Sequence, residues 1–256
     1  MCTLIILRRP GHPWPLLLAG NRDEMPDRPW AAPGRHWPDR PDLVAGLDRL
    51  AEGSWMGVND HGAVSIIMNR AKTLGPDPEK RSRGELVLEA LDHAEAAAAV
   101  QALAQLNPAA YRPFNLFVGD PRQAFWIRND GTAIATEEIQ AGLHMLTSLE
   151  LNDEDDPRIR HYLPLFRAAE QPEPDSADWE EWRALLASHD HPVGEGRAAA
   201  MCFRLQTGLS TLSSSLIALP LYPGADNRPI WLFSPGPPDS AEFAPVDLEL
   251  REYQHP

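Results

Sequence analysis

Several short runs in this chain, Leu4-Ile5-Ile6-Leu7 and Ser65-Ile66-Ile67-Met68 among them, are apolar on both alternating faces. A strand of that kind belongs in a sheet covered on each side. Thr3 to Leu7 and Leu16 to Asn21 read as two strands, separated by a turn carrying Pro10, Gly11 and Pro13. Ser54 to Val58 and Ala63 to Met68 flank the turn-forming cluster Asn59-Asp60-His61-Gly62 and predict a hairpin. At Ser82-Arg83-Gly84-Glu85 the spacing fits a capping box, with the Ser82 hydroxyl on a free N–H and Glu85 reaching back. The helix it starts shows Leu86, Ala90 and Leu91 on one face, and the Ala-rich stretch from Glu95 to Leu106 predicts a second. Strands are then expected near 115–119, 124–128, 132–137 and 143–147, helices near 158–169 and 177–188, and strands near 200–207, 212–219 and 229–233. Strand groups alternating with helix pairs imply an α+β fold rather than strict βαβ order. A four-layer αββα sandwich, two stacked sheets with helices outside, meets every one of these demands.

Residues 25–53 are rich in Pro, Asp and Arg without steady periodicity and predict an ordered loop anchored by Trp30 and Trp37. The segment from Gln171 to Asp178 is polar, and a Pro-rich, acidic tail from about residue 234 is expected to lie across the surface. Neither marks a domain boundary, so residues 1–256 are expected to form a single domain.

Hydrophobic residues make up 43% and charged residues 23% of the chain, enough for a substantial core. A formal charge of -14 excludes a general nucleic-acid binder, which neutralises phosphates with clustered Lys and Arg. The N-terminal arginines are interleaved with Asp23, Glu24, Asp27 and Asp39, as on a mixed, solvated surface. Cys2 and Cys202 are too few for a disulfide framework, and no apolar signal core is evident, so the cytoplasm is the expected compartment. The longest apolar stretches are too short to span a bilayer.

Cys2 stands directly behind Met1, and a side chain this small permits aminopeptidase removal of that Met. The product carries a thiol and a free α-amine on one residue. With a reference pKa of roughly 7.7–8.0, the amine can act as base to its own residue's nucleophile. Such a residue needs an acceptor for the amine and donors for the oxyanion, both on rigid strand ends. In Asn21-Arg22-Asp23-Glu24, strand alternation puts Asn21 and Asp23 on one face and Arg22 and Glu24 on the other. Asp23 is the candidate acceptor, and Asn69, at the end of the fourth strand, the candidate oxyanion donor.

These segments resemble the NRDE family, also called the transport and Golgi organisation family, of the N-terminal-nucleophile (Ntn) hydrolase superfamily. The likeness is carried by Met1-Cys2-Thr3, Ala19 to Glu24, Gly57-Val58-Asn59 with Gly62, Asn69-Arg70, Ser82 to Leu86, and Phe114-Asn115-Leu116 with Val118-Gly119-Asp120. It implies the αββα fold of the Ntn hydrolases. The chain is also similar, more distantly, to conjugated bile acid and penicillin V acylases. That likeness implies Cys2 as nucleophile and base, Asp23 as the group orienting the amine and Asn69 as the carbonyl's partner, with Asn21, Arg22, Arg70, Asn115 and Ser148 as substrate-binding residues. The acylases have Arg where this chain has Gly20. The family's usual Ser-Asn and Thr-Arg-Ser-Ser strings are here Thr147-Ser148 and Thr211-Leu212-Ser213-Ser214. Losing an amide and a guanidinium predicts a less polar pocket.

The implied function is hydrolysis of a linear, non-peptide amide. The alternative is a non-enzymatic binding or trafficking protein that uses the same cleft for haem or an acyl-bearing metabolite, and a third reading is a scaffold that kept only the fold. Neither a cofactor nor a metal is called for, and no His has a distinctive axial-ligand setting, His12, His36 and His61 all lying in loops. His189-Asp190-His191 lacks a third strong ligand and reads as a solvated loop, and Cys202 as a buried small hydrophobe in a strand. Ser213 to Ser215 lacks the Gly-x-Ser-x-Gly setting of a serine hydrolase. Oligomeric state is left open.

Overall fold

The computed structural model describes residues 2–75, 77–224 and 227–249. Its strands are β1 (Thr3–Arg8), β2 (Leu16–Glu24), β3 (Trp30–Gly34), β4 (Leu43–Asp48), β5 (Met56–Asn59), β6 (Val64–Asn69), β7 (Phe114–Gly119), β8 (Ala124–Asn129), β9 (Ile134–Glu138), β10 (Gly142–Leu146), β11 (Ser210–Leu219), β12 (Ile230–Ser234) and β13 (Ala244–Pro245). Its α-helices are α1 (Glu85–Leu91), α2 (Ala96–Leu103), α3 (Pro157–Ala168) and α4 (Glu180–Leu186). One sheet has the order β10-β1-β2-β11-β12-β13, and the other runs in sequence from β3 to β9. All pairings within both are antiparallel.

Three apolar clusters give the layering. Leu4, Ile6, Leu18, Val58, Ile66 and Ile217 lie between the two sheets. Leu86, Val87, Ala99 and Leu103 pack α1 and α2 onto the outer face of the seven-stranded sheet. Ile159, Tyr162, Phe166, Trp182 and Leu186 pack α3 and α4 onto Ile5, Leu17 and Ala19 of the six-stranded one. The αββα sandwich follows. In β1, even-numbered residues face the other sheet and odd-numbered ones face the helices, so the doubly apolar run is explained by burial on both sides.

Three sequence expectations are corrected. Residues 25–53 are not a loop throughout: β3 and β4 pair there, with a register shift between Ala31 and Gly34. β3 is an edge strand, where Pro33 needs no ladder partner, so its composition concealed it. The capping box does not form. Ser82 Oγ accepts from Gly84 N (3.3 Å), while Glu85 accepts the Tyr111 hydroxyl (2.5 Å) and pairs with Arg81 (2.6 Å). Residues 200–207 are buried at Met201, Cys202 and Phe203 yet form no strand, because loop carbonyls such as Ser188 O (2.9 Å from Cys202 N) satisfy their backbone. The Pro-rich tail adds β13 to the sheet edge and packs Val246 and Leu248 against the inter-sheet core, while residues 250–256 lie outside the described residues. No described helix is long and apolar enough to cross a membrane.

Candidate functional site

Thr3 opposes Asn21 in the β1–β2 ladder, which brings the start of β1 beside the end of β2. Gly20 is needed for that approach, since a Cβ there would lie 2.8 Å from the Thr3 carbonyl oxygen. Cys2 is half-buried, packs against the inter-sheet core and holds its sulfur 3.7 Å from the Asp23 carbonyl oxygen. Burial pushes its thiol up, and the Asp23 charge acts in the same direction. The chain's amino terminus, the Asp23 backbone contact and Arg22 pull it down.

The Asp23 carboxylate turns the other way, into the face covered by helices. Its Oδ1 accepts from Thr211 Oγ1 (2.8 Å) and its Oδ2 from Arg158 Nη1 (3.0 Å). Arg158 also donates to Thr3 Oγ1 (2.5 Å) and to the Ala198 carbonyl (2.5 Å). The β2–β11 register shifts between Thr211 and Ser213, so that Thr211 opposes Asp23 and Ser213 opposes Arg22. Asp156 caps α3 by accepting from Arg158 N (2.8 Å), which orients the first turn of the helix. Sequence reasoning missed Arg158. The available signal was its spacing, four and eight residues before the buried Tyr162 and Phe166, which puts a cation on an apolar stripe.

On the inter-sheet side Cys2 opens into a hollow that also contains Arg22, Asn69, Trp55 and Arg83. Trp55 lies on Gly46, where an added Cβ would come within 2.3 Å of its ring. Arg22 sits over Trp55 at 4.4 Å from the ring centroid, and its Nη1 is buried without a partner among the described residues. Asn69, at the end of β6, is half-buried, and its side-chain amide makes no hydrogen bond to a described residue. Arg28 pairs with Asp48 (2.5 Å) and lies 3.9 Å from Glu24. A narrower slot continues inward between the sheets past Gly20, Met56, Ile66, Met68 and Ser213. Cys2 and Arg22 border both spaces.

Of the expected site residues, Cys2, Arg22, Asp23 and Asn69 converge here, although the Asp23 side chain is fully enclosed. Asn21 sends its Nδ2 outward to the carbonyls of Leu186 (2.9 Å) and Met201 (3.0 Å). Arg70, Asn115 and Ser148 border neither space. Asn115 is fully buried, donates to the carbonyls of Thr147 (3.0 Å) and Leu149 (2.8 Å), and accepts from Arg70 (2.9 Å) and Trp126 (3.2 Å). Arg70 continues to Glu150 (2.5 Å), and the Ser148 carbonyl accepts from Ala71 N (3.0 Å). These bonds join the seven-stranded sheet to the segment after β10. Arg83 and Arg112 also border the hollow, from the segments before α1 and β7, which the sequence had not linked to it.

Away from the hollow, His189 meets a third ligand type that its local sequence lacks. Its Nε2 lies 2.9 Å from Asp239 Oδ2, and the Cys202 sulfur falls within 4.8 Å of both. Burial and the Asp239 charge push the Cys202 thiol up to about 11. His12 accepts from Trp14 N (3.0 Å) and His36 contacts the Ala32 carbonyl (2.8 Å), both within their own turns.

Residues 1–213 match the family model described as Transport and Golgi organisation 2. Among solved structures, the chain resembles a Caenorhabditis elegans N-acylethanolamine-hydrolyzing acid amidase ortholog, with a TM-score of 0.60 and 13% identity, over 88% of this chain and 95% of that one. A cysteine-to-alanine mutant of conjugated bile acid hydrolase from Clostridium perfringens gives a TM-score of 0.55 at 11% identity, over 96% and 97% of the two chains. An arginine-to-leucine variant of the same hydrolase gives 0.56 at 10%, over 99% of each. No curated protein matches significantly in sequence. At these identities the structural likeness establishes a shared Ntn-hydrolase fold.

Proposed function

The chain belongs to the Transport and Golgi organisation 2 family and has the Ntn-hydrolase fold, and from that premise we propose that it is a cysteine amidohydrolase acting on linear, non-peptide amides. The observation that carries this reading is the half-buried Cys2 sulfur at the junction of two connected spaces, with the unengaged Asn69 amide in the same hollow. The names of the two similar enzymes, an N-acylethanolamine-hydrolyzing amidase and a conjugated bile acid hydrolase, describe cleavage of such bonds.

A thiol whose burial raises its pKa is protonated at neutral pH, so attack requires a base at hand. Removal of Met1 supplies one on the same residue. The amine takes the thiol proton as sulfur attacks the carbonyl carbon, and Asn69 donates to the developing oxyanion. Collapse breaks the carbon–nitrogen bond, the protonated amine returns the proton to the leaving nitrogen, and water then releases the acyl group. Asp23 is a positioning residue for that amine. Thr3, next to Cys2, shares Arg158 with the Asp23 carboxylate, which ties the nucleophile's strand end to the carboxylate. A carboxylate offers about four acceptor sites, enough for an amine besides Arg158 and Thr211.

Haem or acyl-metabolite carriage is the second reading; no described His borders either space, so an axial ligand there would be Cys2, Met56 or Met68. Intact-mass measurement of the purified protein, followed by hydrolysis assays on a panel of N-acyl amides, tests the proposal. The expected result is loss of Met1 and turnover that disappears in Cys2→Ala. Retained Met1, or undiminished turnover in Cys2→Ala, defeats it.

A further inference from the structure

The chain carries 37 acidic and 23 basic side chains, but the lining of the hollow beside Cys2 reverses that ratio, with six Lys and Arg and four Asp and Glu. Several of these charges are answered locally. Arg28 serves Asp48 and Glu24, Arg81 pairs with Glu85, and Asp23 with Arg158. Arg22 and Arg83 make no ion pair with a described carboxylate. Arg83 is held by Nη1 alone, which donates to the Thr73 carbonyl, the Thr73 hydroxyl and the Pro113 carbonyl, each at 3.1 Å. Its Nε and Nη2 make no hydrogen bond to a described residue. Burial, Arg112 and Arg28 together push it down to about 10, so it stays charged at neutral pH and shares its surroundings with other cations.

Arg22 is the more constrained of the two. Only 7% exposed, it presents a buried Nη1 that has no hydrogen-bond partner among the described residues, lies over the rings of Trp55 and Trp30, and feels Glu24 and Asp48 without forming an ion pair with either. A buried guanidinium nitrogen without an acceptor is unfavourable, and a ligand oxyanion would supply that acceptor. The cations are distributed unevenly about Cys2. Arg83, Arg28 and Arg112 border the outer hollow, whereas the inner slot carries Met56, Ile66, Ile67 and Met68 with Arg22 at its entrance.

We infer that the outer hollow is an oxyanion-binding subsite in which Arg83 and Arg22 hold a carboxylate or phosphate on the amine side of the ligand. The orientation rests on the amidohydrolase reading. The substrate class is therefore an N-acyl conjugate of an anionic amine, and guanidinium groups, with several donors in one plane, suit either oxyanion.

The test compares N-hexanoylglycine, N-hexanoyl-phosphoethanolamine and the neutral N-hexanoylethanolamine. Binding is measured by calorimetry on Cys2→Ala, which prevents turnover, and hydrolysis is measured on the unaltered protein. Roughly tenfold or greater tighter binding of at least one anion over the neutral amide is expected, falling as salt is raised. The tighter of the two anions identifies the oxyanion. In Arg83→Gln the preference collapses, in Arg83→Lys much of it remains, and neutral-amide affinity reports whether each variant is folded. Equal affinity for all three ligands, or an unchanged preference in both Arg83→Gln and Arg22→Gln, overturns the inference. The two readings fail separately. Anion-selective binding without hydrolysis keeps the subsite and removes the enzyme, whereas hydrolysis with no anion preference in binding or rate keeps the enzyme and removes the subsite.

Discussion

The end of the β1–β2 pair presents two surfaces of opposite character within one pleat. On the helix-covered face, Thr3 and Asp23 are drawn into a closed network with Arg158 and Thr211, in which the Arg158 and Asp23 side chains are 3% and 0% exposed. On the inter-sheet face one residue away, Cys2 and Arg22 meet an open hollow, and Arg22 retains a buried nitrogen without a partner. One face commits most of its polar groups to one another, Asn21 Oδ1 being an exception among the described residues, and so supports rigidity. The other leaves groups uncommitted, and uncommitted groups beside a thiol are what binding and catalysis require.

This contrast makes removal of Arg158 the most damaging change. Arg158→Ala leaves a buried carboxylate without its cation and should cost about 3–5 kcal/mol in denaturant unfolding. A cost below about 1 kcal/mol would show that the closed network is not structural. Asn21→Ala, on the same face, strips the Leu186 carbonyl of the Asn21 amide and leaves the Met201 carbonyl with Thr211 Oγ1 at 3.3 Å, and should cost about 1–3 kcal/mol in the same measurement.

The open face should respond in reactivity rather than stability. Because burial and then the Asp23 charge raise the Cys2 thiol, alkylation of Cys2 should keep accelerating as pH climbs past 9. Asp23→Asn preserves shape and removes the negative charge, so the thiol pKa falls and labelling at pH 8 quickens by roughly two- to tenfold. Slower labelling in that variant would reverse the assigned sign. Arg22→Gln, which removes a cation that favours the thiolate, should slow labelling under the same conditions. Smallest of all is the expected stability change of Cys2→Ala, under about 1 kcal/mol because the side chain is only half-buried. A large loss would assign Cys2 to the core rather than the site.

Parts of this site were legible before any coordinates. Cys2 behind Met1 and the alternation of Asn21-Arg22-Asp23-Glu24 depend on neighbours in the chain, and the structure keeps that alternation across the two faces of β2. Asn69 was legible as a polar residue ending an apolar strand. Arg70, Asn115 and Ser148 look equally polar in sequence, yet they knot the segment after β10 to the neighbouring sheet. Sequence could not separate the two groups, because a polar side chain beside a strand end serves a ligand or a carbonyl with the same chemistry.

The layered fold was determined locally. Hydrophobic periodicity, turn clusters and doubly apolar strands act over a few residues, and burying those faces admits few arrangements. Edge strand β3, held by its pairing with β4, lay beyond that reach. So did the meeting of Arg158 with Asp23 across 135 residues and the joining of His189, Cys202 and Asp239. Charge balance and hydrogen-bond satisfaction are properties of what surrounds a side chain in space, so only the tertiary structure could decide which arginine was enclosed with a carboxylate and which was left facing a hollow.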